Sequence, residues 1–251
     1  MTGYSARGYD CAATIQDVYV SAHDEFGVDP NFWVRYFTPS PAADIFSNDA
    51  EDECVAAWDS GGHYIGCVSA PPQGDLSGSS GTGQSDAQSF AASMLSAYYA
   101  VVPLDLPSDN ALVCWLDQEY STSLSLPYLE GWAGYIANYN FAGLGTYPLY
   151  PGVYCTPAAP YPNCSIFAEA SGLDVPSDVW TPEPEYCDPL ADPPGVYEAQ
   201  ECSTYTSSKV PSNLWQYAEQ GACGWSAAVD LDVSSPSWNY DNYCFVIVSE
   251  P

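Results

Sequence analysis

Apolar positions along the first half of the chain recur at two alternating spacings. Ile15, Val18, Tyr19, Ala22 and Phe26 fall three or four apart, on one face of a helix that Gly27 can end. The run Phe32-Trp-Val-Arg-Tyr-Phe37 then reads as a strand. A second helix is expected from near Asn48 to Asp59, with Glu51, Cys54, Val55 and Trp58 at helical spacing and Gly61-Gly62 as its stop. Tyr64-Ile-Gly-Cys-Val68 is the next strand. Ala87, Phe90, Ala91, Met94, Leu95 and Tyr98 form one apolar stripe, with Ser85 and Asp86 suited to its amino-terminal cap. Leu112-Val-Cys-Trp-Leu116 is a near-continuous apolar run of the kind found in buried parallel strands. A further helix carries Leu129, Trp132, Ile136 and Tyr139, and Tyr150-Pro-Gly-Val-Tyr-Cys155 is again strand-like.

Strands alternating with helices imply parallel βαβ units. After Cys155 the pattern degrades, but short strands fit Asp178-Val-Trp180, Leu214-Trp-Gln-Tyr217 and Ala228-Val-Asp-Leu-Asp-Val233. With Gly8-Tyr9-Asp10 as the first, the strands number eight. The expected fold is therefore an α/β, TIM-type (β/α)8 barrel, irregular in its second half. At 251 residues the whole chain, 1–251, fits one such domain, with the barrel over about 8–233 and 234–251 as a C-terminal extension. Residues 181–212, rich in Pro, Glu, Asp and Tyr, read as a long stapled loop within it. The Gly/Ser tract from Gly74 to Gly83 lacks the G-K-[ST] ending of a phosphate loop and reads as a flexible connection. No internal repeat is visible.

Charge changes what the chain can bind. Three basic residues (Arg7, Arg35, Lys209) stand against 32 acidic ones, a formal net charge of -29. Such a field repels nucleic-acid backbones and anionic membranes, so neither is an expected partner. No stretch of about 18 apolar residues is present to span a membrane. The ten cysteines are even in number and dispersed without a C-x-x-C pair, which favours disulfides over zinc. Local pairs are expected for Cys155 with Cys164, Cys187 with Cys202 and Cys223 with Cys244, each bracketing a turn-rich stretch. Cys11, Cys54, Cys67 and Cys114 would then pair among themselves. An oxidising, extracellular location follows from that reading. Met1–Arg7 has no apolar run, so the sequence is expected to be a mature, secreted form.

Asp117 and Glu119 end the most buried strand two residues apart, so both side chains point to one face, that of Val113 and Trp115. In a barrel that face is the interior, and the carboxyl ends of the strands are where barrel enzymes work. Paired carboxylates suit glycoside hydrolysis, one donating a proton and another stabilising charge at the anomeric carbon. Among 32 acids, an exposed pair at a strand end is the commoner event. Asp10 and Asp230 add weight, each ending or interrupting an apolar strand, and Asp232 shares a face with Asp230. Arg35 would pair with a pocket carboxylate such as Asp10 or Asp117, or satisfy a core acid. Tyr36, Tyr120, Tyr154, Trp180, Trp215 and Tyr217 lie on or just after strands and would either form the aromatic rim of a glycan cleft or pack in the core. His23 and His63 are expected at the surface. Nothing in the pattern calls for a metal or a cofactor, and no Ser-His-Asp ordering or H-E-x-x-H motif supports protease chemistry.

Short motifs in a fixed order resemble a known group. Gly8-Tyr9-Asp10, Arg35-Tyr36, Gly83-Gln-Ser-Asp86-Ala87, Asp117-Gln118-Glu119, Gly152-Val153-Tyr154, Trp215-Gln216-Tyr217 and Val229-Asp230 are similar to motifs of glycoside-hydrolase-like barrel domains of unknown function related to the family 25 lysozymes. The resemblance implies Glu119 as general acid and Asp117 as support for a substrate-assisted step using the sugar's acetamido group. It also implies Asp10 and Asp230 as pocket acids. Where that group has an asparagine two positions after the last-strand aspartate, this chain has Asp232. The implied function is a secreted glycoside hydrolase acting on an amino-sugar glycan such as peptidoglycan. The alternative is a non-catalytic glycan-binding or structural surface protein on the same barrel.

Overall fold

Eight strands close into a barrel in the computed structural model, which describes residues 6–38, 43–101, 104–106, 112–118, 123–141, 149–155, 166, 178–182, 202–203, 209–210, 213–236, 238 and 240–248 (backbone alone at 178, 181, 202–203, 209–210, 221–222 and 242). The barrel strands are β1 (Arg7–Asp10), β2 (Phe32–Tyr36), β3 (Tyr64–Ser69), β5 (Leu112–Gln118), β6 (Leu149–Cys155), β7 (Asp178–Pro182), β10 (Leu214–Ala218) and β11 (Asp230–Ser234). They coincide with the eight segments expected from periodicity. The sheet runs β2-β1-β11-β10-β7-β6-β5-β3 and closes through the parallel pairing of β2 with β3.

The barrel is mixed, which corrects the all-parallel (β/α)8 expectation. β11 runs antiparallel to both its neighbours, β1 and β10, while the other seven strands are parallel. Between β10 and β11 there is room for only one helical turn, Gln220–Cys223, closed by Gly224 at φ 75°. A connection that short cannot carry the chain back along the barrel for a parallel return. The stretch expected as a loop over 181–212 contains the end of β7 and a two-stranded antiparallel ribbon, β8 (Cys202–Ser203) with β9 (Lys209–Val210). Beyond the barrel, β12 (Phe245–Ile247) pairs antiparallel with the start of β3 and with β4 (Leu104–Asp105).

Helices α1 (Ile15–Phe26), α2 (Ala50–Asp59), α3 (Ser80–Ala100) and α4 (Leu126–Asn138) pack outside. Gly27 takes φ 65° and donates its N–H to His23 O, which ends α1 where the pattern required. The cap of α3 lies at Ser79, six residues before Ser85, where it accepts the Thr82 N–H. The last four residues of the anticipated Gly/Ser loop are therefore α-helical, and its first four lie in a 3-10 helix, Gln73–Ser77. Gly83 lies within that helix and faces α4. A Cβ there would stand 2.1 Å from Tyr128 O, and one on Gly131 would stand 2.0 Å from Ser80 O. The two helices touch through these glycines, closer than any other residue permits.

Strand alternation divides the core in two. Tyr9, Trp33, Cys114, Leu116, Val153, Trp215 and Tyr217 face the helices. Phe32, Val34, Val68, Val113, Trp115, Trp180 and Leu214 fill the barrel, joined from the C-terminal segment by Trp238 and Cys244. Trp115 meets both Trp180 (5.9 Å between centroids) and Trp238 (5.6 Å).

The cysteine expectation does not hold. Cys11, Cys54, Cys67, Cys114, Cys155 and Cys244 are free, buried thiols. This excludes Cys155–Cys164, Cys223–Cys244 and any pairing among the first four. Five of these six sit in the layer between barrel and helices, where a thiol packs as a small apolar side chain. Cys223 is disulfide-bonded to a partner outside the described side chains. The Cys187–Cys202 pair also lies outside them, as does Cys164.

Candidate active site

Each of the eight barrel strands delivers one side chain to a cavity at the mouth formed by the carboxyl ends of the parallel strands. β1, β5 and β11 bring Asp10, Asp117 and Asp230; β2, β6 and β7 bring Tyr36, Tyr154 and Trp180; β3 and β10 bring Val68 and Gln216. Glu219, just after β10, completes the wall of this space of about 160 Å³. Beside it is a cleft of about 550 Å³ that shares Asp10, Tyr36 and Asp230 and is otherwise lined by four alanines together with Cys11, Asp44, Gln220 and Val229. Because side chains alternate, Asp117 stands above Trp115 on the inward face, as the pattern of β5 demands.

Gln216 organises the acids. Its Nε2 donates to Asp10 Oδ2 at 3.1 Å and to Asp230 Oδ2 at 2.9 Å, and its Oε1 accepts the Tyr154 hydroxyl at 2.8 Å. The Gln220 N–H caps the other oxygen of Asp230 at 2.6 Å. Asp10 and Asp230 are directly opposed on β1 and β11, and Asp232 is opposed to Gly8, one pleat deeper. There Asp232 is fully buried, takes the Trp180 indole N–H at 2.9 Å and is hydrogen-bonded to Asp10.

Burial is the leading influence on the protonation of these groups. It pushes Asp10 well above the usual carboxylate range, with repulsion from Asp230 and Asp117 added and hydrogen bonds from Asp232 and Gln216 opposing. Asp230 is raised to about 6 by burial, against the Gln220 N–H that favours its anion. Asp232 is raised well above the ordinary range by burial and by the neighbouring Asp10. The Tyr154 phenol is raised as well, first by burial and then by Asp10 and Asp117. Acids in one low-dielectric pocket cannot all ionise at ordinary values.

The sequence thus led to Asp10, Asp117, Asp230, Tyr36, Tyr154 and Trp180, which the fold brings together. Glu119 and Tyr120 lie outside the described residues. Asp232 lies beneath the cavity rather than on its wall, which corrects its reading as a substrate contact. For Arg35, Trp215 and Tyr217 the core alternative holds and the substrate-contact reading is corrected, because all three point the other way. Arg35 is fully buried outside the barrel, where its Nε and Nη2 reach the two oxygens of Glu53 at 2.5 and 3.0 Å, and it also donates to Cys11 O and Asp44 O. Trp215 and Tyr217 pack against helices. Gln216 and Glu219 were missed. A glutamine between two aromatic residues of a buried strand was the available signal for the former, since alternation sends it to the opposite face.

No known family's sequence profile matches the chain, nor does any curated protein. Among solved structures, an uncharacterized B. stearothermophilus protein, in a crystal structure at 1.07 Å, is similar with a TM-score of 0.69 at 15% identity, over 95% of this chain and 100% of that one. The modular autolysin LytC from Streptococcus pneumoniae, solved in complex with a synthetic peptidoglycan ligand, aligns with a TM-score of 0.42 at 13% identity, over 91% of this chain and 46% of that one. The first of these likenesses shows that the chain shares its fold with that protein.

Proposed function

We propose that the protein is a glycoside hydrolase that acts at this barrel mouth on an amino-sugar-containing glycan such as peptidoglycan. The observation that carries the reading is the convergence of Asp10, Asp117 and Asp230 on one pocket from three separate strand ends. Hydrolysis of a glycosidic bond needs one carboxyl group that holds a proton near working pH and another that is ionised. A pocket in which burial and mutual repulsion spread the carboxyl pKa values upward, Asp230 to about 6, supplies that division. In this reading Glu119, two residues beyond Asp117, is the general acid, and Asp117 steadies the reacting acetamido group. Tyr36 and Tyr154 offer phenols to a sugar ring, with Trp180 buried behind them. In this reading the protein works outside the cell, where a polymer of this kind is met.

Reducing-end release across a glycan panel, for wild type and Glu119→Gln, tests the proposal. Turnover by wild type that falls at least 100-fold in Glu119→Gln is the expected result. A glycan-binding barrel without turnover is the second reading. It is favoured by the inner cavity, which at about 160 Å³ is smaller than a typical ligand pocket, and by Gln216, which already occupies both Asp10 and Asp230. Binding of a glycan with no bond cleavage on any polymer would select it.

A further inference from the structure

Beneath the cavity, two carboxyl groups meet in a way that ordinary ionised aspartates cannot. Asp232 is fully buried; its Oδ1 accepts the Trp180 Nε1–H at 2.9 Å, and its Oδ2 has no N–H or O–H donor. Its hydrogen-bond partner is Asp10, whose Oδ2 accepts from Gln216 at 3.1 Å. Ionised carboxylates only accept hydrogen bonds, so two of them can be joined only if one carries a proton. The donors already present decide which. Gln216 stabilises negative charge on Asp10, while Asp232 Oδ2, shut away from solvent, has a proton to give and nothing to take.

We propose that Asp232 is a positioning residue for Asp10 that acts as a neutral carboxylic acid, donating its proton to Asp10 while accepting from Trp180. The pair then carries one negative charge rather than two. The surroundings support this. The acids around the pair are Asp230, on the same strand as Asp232, Asp117, on β5, and Glu219, just after β10; all add negative charge. Tyr154 on β6 and Tyr36 on β2 contribute neutral phenols, and Trp180 and Gln216 contribute N–H donors. Arg35 is the nearest thing to a counter-ion on β2, but it faces the helices and is held by Glu53. Among the described residues no cation reaches the pair, so a second negative charge there would be repelled without compensation. The inference bears on the proposed hydrolysis only through Asp10. Its test reads protonation and stability, so its failure is separable from absence of turnover.

An amide in place of the acid reproduces the contacts without a proton to lose. Asp232→Asn donates N–H to Asp10 and accepts from Trp180 at every pH, while Asp232→Ala does neither. Thermal unfolding of wild type, Asp232→Asn and Asp232→Ala between pH 4 and pH 8 is the first measurement. Wild type and Asp232→Asn should unfold at similar temperatures at pH 4. The advantage of Asp232→Asn should then widen as pH rises, because only wild type is forced to hold or surrender its proton. Asp232→Ala should be the least stable at pH 4. Infrared spectra of aspartate-labelled protein provide the second readout. Wild type at pH 7 should show a protonated carboxylic acid band that disappears in Asp232→Asn. A constant difference in unfolding temperature across the pH range, or no such band in wild type, overturns the proposal. If Asp232→Asn fails to fold, Asp10→Asn decides: persistence of the band there assigns the proton to Asp232, and its loss overturns the proposal.

Discussion

The Tyr154 hydroxyl donates to Oε1 of Gln216 at 2.8 Å, and that contact fixes which end of the amide faces the acids. With the carbonyl oxygen engaged, the NH2 group has to point at Asp10 and Asp230, where it bridges strands β1 and β11. Four side chains, from β6, β10, β1 and β11, are thereby locked into one arrangement before any ligand enters.

This lock predicts a coupled pair of mutational effects. Tyr154→Phe removes one buried hydrogen bond and should cost about 1 kcal/mol. Gln216→Leu strips a donor from two buried acids and should cost on the order of 2–3 kcal/mol, because unsatisfied buried groups retain their desolvation penalty. The double variant should be less destabilised than the sum, since the hydroxyl acts through the amide. Urea unfolding of the four proteins measures the cycle. Strict additivity would show that Tyr154 does not orient Gln216.

The same donor also lowers the Asp10 pKa against burial, so Gln216→Leu should shift carboxyl titration at the pocket further upward. Carbon-detected NMR of labelled aspartates would follow it. A downward shift or none would mean that Gln216 does not stabilise the Asp10 anion.

Buried acids with raised pKa values make the fold an acid-stable one. Asp10, Asp230 and Asp232 all bind protons more tightly folded than unfolded. The stability linked to them is complete below the unfolded carboxylate value of about 3.9 and is lost as pH rises through the folded values. For Asp230 that loss runs from the unfolded value up to its folded value of about 6, and it continues above that for the other two. The net charge of -29 acts in the same direction, through a repulsion that salt screens. Unfolding temperature should therefore fall from pH 4 to pH 8, and 0.5 M salt should recover only part of the fall. Complete recovery by salt would assign the effect to surface repulsion alone.

How much of this was legible depended on what each pattern encodes. Period-two alternation carried the strands and put Asp117 on the face of Trp115, because that strand is long and its ends are fixed by polar residues. Alternation could not choose a face for Phe32–Tyr36, where every position but the arginine is apolar and both faces are buried. A lone cation there looked like a pocket residue, although its partner Glu53 sits on a helix, 18 residues further along the chain. The strand Leu214–Ala218 misled in the opposite sense. Its aromatic residues suggested a sugar-binding rim, whereas the barrel interior at that height is polar and the glutamine faces it. Strand direction is a property of connections, so the antiparallel β11 left no local trace. Cysteine count suggested bridges, while strand burial makes most of these thiols ordinary core side chains.

Counting thiols tests that last point directly. Alkylation without reductant in denaturant should modify Cys11, Cys54, Cys67, Cys114, Cys155 and Cys244, all free in the structure. The native protein should resist the same reagent at these positions, because they are buried and burial raises their thiol pKa values. Fewer than six modified sites in denaturant would mean that additional disulfides form in the isolated protein.

The Arg35–Glu53 pair should matter for stability and not for the pocket. Both side chains are fully buried, and the guanidinium spends all of its described contacts on Glu53, Cys11 O and Asp44 O. Burial pushes Glu53 upward while Arg35 holds it down, so removing the arginine leaves a carboxylate that has to take up a proton or unfold the site. Glu53 also accepts the Ile15 N–H at the start of α1, so the pair ties β2, α1 and α2 together. Arg35→Met alone should cost about 3–5 kcal/mol, the usual penalty for stranding one buried charge. Glu53→Gln should cost a comparable amount, since the amide still accepts from Arg35 but leaves its buried charge uncompensated. Replacing both, as Arg35→Met with Glu53→Leu, should recover much of the loss, because an apolar pair incurs no desolvation cost. Glycan binding or turnover, measured well below the unfolding temperature, should stay within a few-fold of wild type in every variant that folds. A loss of activity in Arg35→Met out of proportion to its stability would instead place Arg35 in the service of the acids on the other side of β2.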